Sequence, residues 1–159
     1  MKIRKLKQAE QKLAIALALD VFIACGKADY DEEGLGVFMS FIGDESRILE
    51  LTFWGAFDEA GTLVGMLAIR EKDHHLSMFF IHPNYHRKGI GRALFDFAMQ
   101  EHPYWNVTVN SSTYAVPFYQ SLGFSPLDAP RNYHGLVSVP MKKCSFRLRT
   151  WQESDVSSL

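Results

Sequence analysis

Phe80-Ile81-His82-Pro83-Asn84-Tyr85-His86-Arg87-Lys88-Gly89-Ile90-Gly91-Arg92 decides how the rest of the chain is read. An apolar run ending in Ile81 predicts a buried strand over His74–Ile81. A polar turn follows, and then a helix over Gly89–Glu101. Ile90, Ala93, Leu94, Phe97 and Ala98 share one stripe of that helix, and Arg92, Asp96 and Gln100 lie opposite. A helix start exposes unpaired N–H groups and the positive end of the helix dipole, so it can hold a phosphate. Gly89 and Gly91 carry no side chain that would keep the phosphate away, and Arg87, Lys88 and Arg92 add positive charge. The segment lacks the third glycine of a dinucleotide turn and the Gly-Lys-Ser/Thr of a triphosphate loop. By itself this pattern also fits a solvated basic turn.

Working outward, Ile3–Leu6 reads as a strand and Gln8–Cys25 as a helix whose inner stripe is Leu13, Ala16, Leu17, Val21 and Ala24. A second helix starts near Asp31-Glu32-Glu33, with Leu35, Phe38 and Ile42 inward and Gly43 at its end. From Leu49 to Phe57 the period falls to two, and Asp58–Thr62 turns the chain into a partner strand over Leu63–Ile69. Downstream come a strand over Trp105–Asn110 and a helix over Thr113–Leu122. Pro117 should bend that helix or confine it to its later turns. One or two strands then follow, the better defined over Leu136–Met141. Strand, two helices, three antiparallel strands and then strand–helix repeats make an α+β fold, a mixed sheet with helices on both faces.

The chain has 159 residues, the length of one domain, and its formal net charge is −1. That balance argues against a nucleic-acid partner, and no apolar run approaches the ~18 residues of a membrane helix. The basic start, Met1–Lys7, leads into an amphipathic stretch rather than a signal-peptide core. Cys25 and Cys144 are too few for a disulfide framework or a zinc site. They read as reduced packing residues of a cytoplasmic protein, and no metal is expected.

The turn resembles the acyl-CoA signature of the GCN5-related N-acetyltransferase (GNAT) family, Gln/Arg-x-x-Gly-x-Gly/Ala after a strand. Pro83-Asn84-Tyr85 precedes it, and His86 stands where the family has Gln or Arg. A second match lies downstream in Ala115-Val116-Pro117-Phe118-Tyr119-Gln120-Ser121-Leu122-Gly123-Phe124, similar to small stand-alone bacterial-type members. The resemblance covers residues 1–143. It implies the GNAT fold, with a bulged strand splayed from its neighbour, and acetyl-CoA as cosubstrate. Phe79, Phe80 and Ile81 would then face pantetheine, His86, Arg87, Lys88, Gly89, Ile90, Gly91 and Arg92 the pyrophosphate, and Asn110 or Ser112 would add a polar contact. A main-chain N–H near Phe80 or Ile81 would hold the oxyanion.

Tyr119 matches the family's general acid toward the thiolate. His75 sits where some members place a catalytic glutamate, with Glu71 and His134 as further candidate bases. The reaction implied is direct transfer of acetyl to a primary amine, a small molecule rather than a protein. Tyr30, Phe38, Phe41, Tyr133 and His134 would give the acceptor pocket its aromatic character. The alternative is a catalytically silent acyl-CoA-binding or regulatory domain. Residues 144–159 look surplus to the domain. They read as a disordered terminus, as the opening of a second domain of the same family, or as a tail pairing with a neighbouring subunit in a homodimer.

Overall fold

The computed structural model describes residues 1–103 and 105–144, so the tail lies almost entirely outside the described residues. Its centre is the hairpin of β2 (Leu51–Phe57) and β3 (Leu63–Arg70). Asp58 closes the turn twice, its amide donating to Thr62 O and its Oδ1 accepting from Thr62 N, each at 2.9 Å. β1 (Lys2–Lys5) pairs with β2, and β4 (His75–Ile81) pairs with β3, all antiparallel. β5 (Val107–Ser111) joins β4 in the sheet's parallel pair, and β8 (Leu136–Lys143) lies antiparallel to β5. Among the described residues the strand order is β1-β2-β3-β4-β5-β8-β6, with β6 (Ser125–Pro126) at the edge and β7 (Arg131–Tyr133) hairpinned onto the start of β8. The mixed, mostly antiparallel sheet expected from the sequence is present.

Each face of the sheet has its own core. On one, α4 (Ile90–Gln100) and α5 (Val116–Ser121) pack over Trp54, Leu67, Ile69 and Val109. On the other, α1 (Gln11–Cys25) and α2 (Glu32–Ile42) cover Phe53, Met66, Ala68 and Met78. The two faces explain why β2 and β3 are buried along nearly their whole length. Strict alternation was the wrong test for strands covered on both sides.

Several expectations are corrected. Leu49 does not start a strand: it ends a short helix, α3 (Glu45–Leu49), and is 70% exposed. Asp44 nucleates that helix, its Oδ1 accepting from the amides of Ser46 and Arg47. In α1 the buried residues are Ala14, Ala18 and Val21, whereas Ala16 and Ala24 are exposed and Leu13 is 56% exposed. A helix apolar on nearly every side offers no contrast by which to choose a face. The sheet takes the alanines, which let it approach closely. Ala93 is likewise exposed, and Phe95 takes a buried place on α4. The fifth strand begins at Val107 rather than Trp105, whose ring is instead stacked between His74 and His102. Pro117 sits in the first turn of α5, where no helical N–H is needed, so the helix starts at Val116 and not at Thr113. Cys25 and Cys144 are free thiols, and both are exposed rather than packed. No helix among the described residues is long and apolar enough to cross a membrane.

Candidate functional site

The β3–β4 ladder loses register between Ala68 and Ile69, which face Met78 and Leu76, so Ser77 is an extra residue and β4 is bulged there. Beyond the bulge β4 leaves its other neighbour. The β4–β5 pairing covers His75↔Thr108 and Leu76↔Val109 and then stops, so Phe79–Ile81 have no strand partner on that side among the described residues. The amide of His82 bonds Val64 O (2.8 Å), which fixes the alternation. The main chain of Phe80 faces β3, and that of Phe79 and Ile81 faces the opening. Side chains alternate on the other axis: Phe79 meets Phe118 and Tyr119, while Phe80 meets Phe38 across the sheet.

The turn after β4 is shaped by its own side chains. His82 Nδ1 accepts from Asn84 N (3.1 Å), and the Tyr85 hydroxyl donates to Asp58 Oδ2 (3.0 Å), tying the turn to the hairpin. Thr62's amide is the main reason the Asp58 carboxyl is held below its ordinary range, and that carboxylate in turn raises the Tyr85 phenol. His86 Nε2 lies 2.6 Å from Ile81 O, a carbonyl that the departing β5 leaves without a ladder partner. Its side chain thus anchors the turn. Arg87 and Gly89 both have positive φ (60° and 78°), which directs the amides around them inward.

α4 starts at Ile90, and Ala93 is the first of its amides to reach a carbonyl, Gly89 O at 3.1 Å. The amides of Ile90, Gly91 and Arg92 are therefore available at the positive end of the helix. The glycines differ in purpose. A Cβ on Gly89 would meet nothing within 4 Å, so its hydrogen serves the left-handed conformation and open access. A Cβ on Gly91 would come within 2.9 Å of the Phe118 ring, so Gly91 lets α5 close on α4.

The three cations also diverge. Arg87 lines the opening and has no partner among the described residues. Lys88 lies over the Tyr85 ring, 5.2 Å from its centroid, and is not part of the cavity wall. Arg92 lines the wall, but its guanidinium donates to Ser121 O (2.8 Å) at the end of α5.

The opening belongs to a cavity of about 1370 Å³ that runs past the splayed strands to the space between α1 and α2. Of the residues that the resemblance sets against the coenzyme, all but Lys88 line it, and Tyr119 and His75 line it too. Asn110 is exposed and its side chain has no partner among the described residues, whereas Ser112 Oγ accepts from Ala115 N (3.1 Å). Tyr119 is buried (5% exposed), its hydroxyl has no partner among the described residues, and burial pushes its phenol well above the ordinary value. The phenol is thus neutral, a donor without an acceptor. His75 is half-buried, with Nδ1 2.8 Å from Thr108 Oγ1. Burial first, then Arg70, lowers its titration, and Asp73 opposes them. Glu71 and His134 lie outside the cavity wall, and each instead faces a side-chain partner, His102 (3.8 Å) and Glu33 (3.4 Å).

At the far end the wall includes Phe22, Phe38 and Phe41, with Phe22 stacked on Phe38 at 4.0 Å. Tyr133 also lines it, but Tyr30 stands behind Phe22 and bonds Ile23 O. Sequence reasoning missed Phe22, Ser77 and Asp29. Asp29 is 5% exposed, and its carboxylate takes the Thr113 amide (3.0 Å) and hydroxyl (2.5 Å), locking the α1–α2 link to the β5–α5 loop. No motif marks these three, because each matters through a partner far away in the chain.

A bulged strand, a splayed parallel pair and a free helix start in one cavity are the features the resemblance implied. A model of the acetyltransferase (GNAT) domain matches residues 27–145. The peptidyl-lysine N-acetyltransferase YiaC of Escherichia coli is 36% identical over 73 residues, 45% of this chain and 49% of that protein. The UPF0157 protein YqkA of Bacillus subtilis is 29% identical over 90 residues, 53% of this chain and 26% of that one. The chain thus spans half or less of the length of these curated relatives. Among solved structures, a GCN5-related N-acetyltransferase of Rhodopseudomonas palustris superimposes with a TM-score of 0.74 at 20% identity, over 90% of this chain and 94% of that one. The PaiA N-acetyltransferase of Thermoplasma acidophilum, solved with coenzyme A, gives 0.68 at 20% identity, over 90% and 98%. The chain belongs to the GNAT acetyltransferase family.

Proposed function

We propose that the protein transfers the acetyl group of acetyl-CoA directly to a primary amine, with a small molecule as acceptor. One observation carries this reading: the start of α4 with its free amides, the unpaired edge of β4 and Tyr119 line the same cavity. Residues present fit the coenzyme. The amides of Ile90–Arg92 and the Arg87 side chain would take the diphosphate, and the main chain of Phe79 and Ile81 would pair with the pantetheine amides. Asn110 would add a contact from β5.

Acetyl-CoA, when bound, supplies an activated carbonyl and a thiolate leaving group. His75 is neutral at physiological pH and takes the proton of the acceptor ammonium, freeing the lone pair that forms the new C–N bond. An outward N–H of the splayed segment, at Phe79 or Ile81, would donate to the carbonyl oxygen as charge collects there. As the C–S bond breaks, the Tyr119 hydroxyl would donate to sulfur, and the second proton lost by the acceptor nitrogen as the amide forms would restore the phenol. The aromatic wall of Phe22, Phe38 and Phe41 would hold the acceptor's apolar part. A cytoplasmic setting would keep Cys25 and Cys144 reduced.

A second reading, favoured by the similarity to YiaC, has a protein lysine as acceptor. Acetyl-CoA consumption over a panel of small amines and lysine peptides, with mass detection of the product, separates the two. Tight CoA binding with no turnover on any of them, and no difference on Tyr119→Phe, would instead make this a silent CoA-binding domain.

A further inference from the structure

The parallel contact of β4 with β5 is two residues long, and its first rung carries a side-chain bond as well as main-chain ones. His75 and Thr108 are register partners, with Nδ1 2.8 Å from Oγ1. Thr108 N donates to His74 O (3.2 Å), and the stack of His74, Trp105 and His102 braces the same junction. The imidazole is thus held by one nitrogen. Nε2 has no partner among the described residues, and His75 lines the cavity.

A threonine hydroxyl can accept or donate. Accepting from Nδ1–H leaves the lone pair on Nε2; donating to Nδ1 puts a hydrogen on Nε2 and no base in the cavity. We infer that Thr108 is a positioning residue: its hydroxyl accepts from His75 Nδ1–H and so selects the tautomer whose Nε2 lone pair faces the acceptor. The inference rests on the reading of His75 as base. It adds that proton uptake requires no rearrangement. The proton lost by the ammonium goes to Nε2, Nδ1–H stays where it is, and its bond to Oγ1 becomes charge-assisted. The proton later leaves Nε2 to solvent.

The charged groups around the ring leave this hydrogen bond as its specific polar partner. Arg70 and Asp73 act on His75 in opposite senses and are paired with each other at 2.8 and 2.7 Å. Glu50 is paired with Lys72, Arg47 with Asp44, and β8 brings Lys142 into register with Thr108.

The test is nitrogen NMR of the imidazoles in the full chain, for wild type, Thr108→Ser and Thr108→Val, with His75→Gln to assign the signal. Wild type and Thr108→Ser should show the Nδ1–H tautomer. Thr108→Val should move the population toward Nε2–H and lower the His75 midpoint by about 0.7 pH unit, since the imidazolium loses a charge-assisted acceptor. An Nε2–H tautomer in wild type overturns the inference, as does a folded Thr108→Val protein with tautomer and midpoint unchanged. Should that variant fail to fold by circular dichroism, the wild-type tautomer decides alone. If His75→Gln leaves acetyl transfer intact, His75 is not the base, and the tautomer result stands independently of that failure.

Discussion

At one end of the cavity the binding groups come from a continuous run, Phe79 to Arg92; at the other the wall is gathered from α1, α2, α3, β3, β7 and β8. The first end is local. Its amides, its two positive φ angles and its anchoring His86 follow from neighbours within a few residues. The second end depends on long-range contacts: Asp29 reaching Thr113, the Asp31 amide bonded to Gly135 O (3.1 Å), and Phe22 stacked on Phe38. A site half can thus be written in a motif where one turn makes it. It escapes notice where packing makes it.

The sharpest way to probe the junction of the two ends is Tyr119→Phe. It removes one hydroxyl and should lower kcat roughly 10²–10⁴-fold, the range for general acid–base catalysis, with CoA affinity by calorimetry unchanged. A change in affinity instead of kcat would make Tyr119 a wall residue.

Asp29→Ala should break the tie between the ends. Losing two hydrogen bonds to a buried carboxylate, and leaving the Thr113 amide unpaired, costs roughly 2–3 kcal/mol in denaturant unfolding. Acceptor KM should rise more than CoA Kd.

The pH response belongs to His75. Its folded value is lowered from the usual 6.5, chiefly by burial, so the base is neutral above that pH and transfer should be insensitive to His75 protonation there. Below the folded value kcat/KM should fall about tenfold per unit through loss of the base, and His75→Gln should remove that component. Linkage has a matching sign. As pH drops from 6.5 to the folded value the unfolded chain takes the proton first, so stability declines over that window and levels off below it.

The smallest effect compares two arginines at the local end. Arg87→Ala should weaken CoA binding several-fold, since its guanidinium is unengaged, whereas Arg92→Ala should change it less than about twofold because that side chain already serves Ser121. Equal losses would mean that Arg92 leaves α5 when the coenzyme binds.

The amino-acid sequence by itself determined the order of the main helices and strands, the glycine-spaced helix start and the Phe118-Tyr119 helix, because turn chemistry and periodicity act over short spans. It could not choose the buried face of α1, where apolar residues surround the helix and only the sheet selects Ala14 and Ala18. Nor could it separate the two glycines or the three cations, whose purposes depend on Phe118 and Ser121 arriving from elsewhere and on the way the turn folds Lys88 over Tyr85. The bulge at Ser77 and the Thr108 hydroxyl beside His75 are likewise products of strand register, which is set only when β3, β4 and β5 meet.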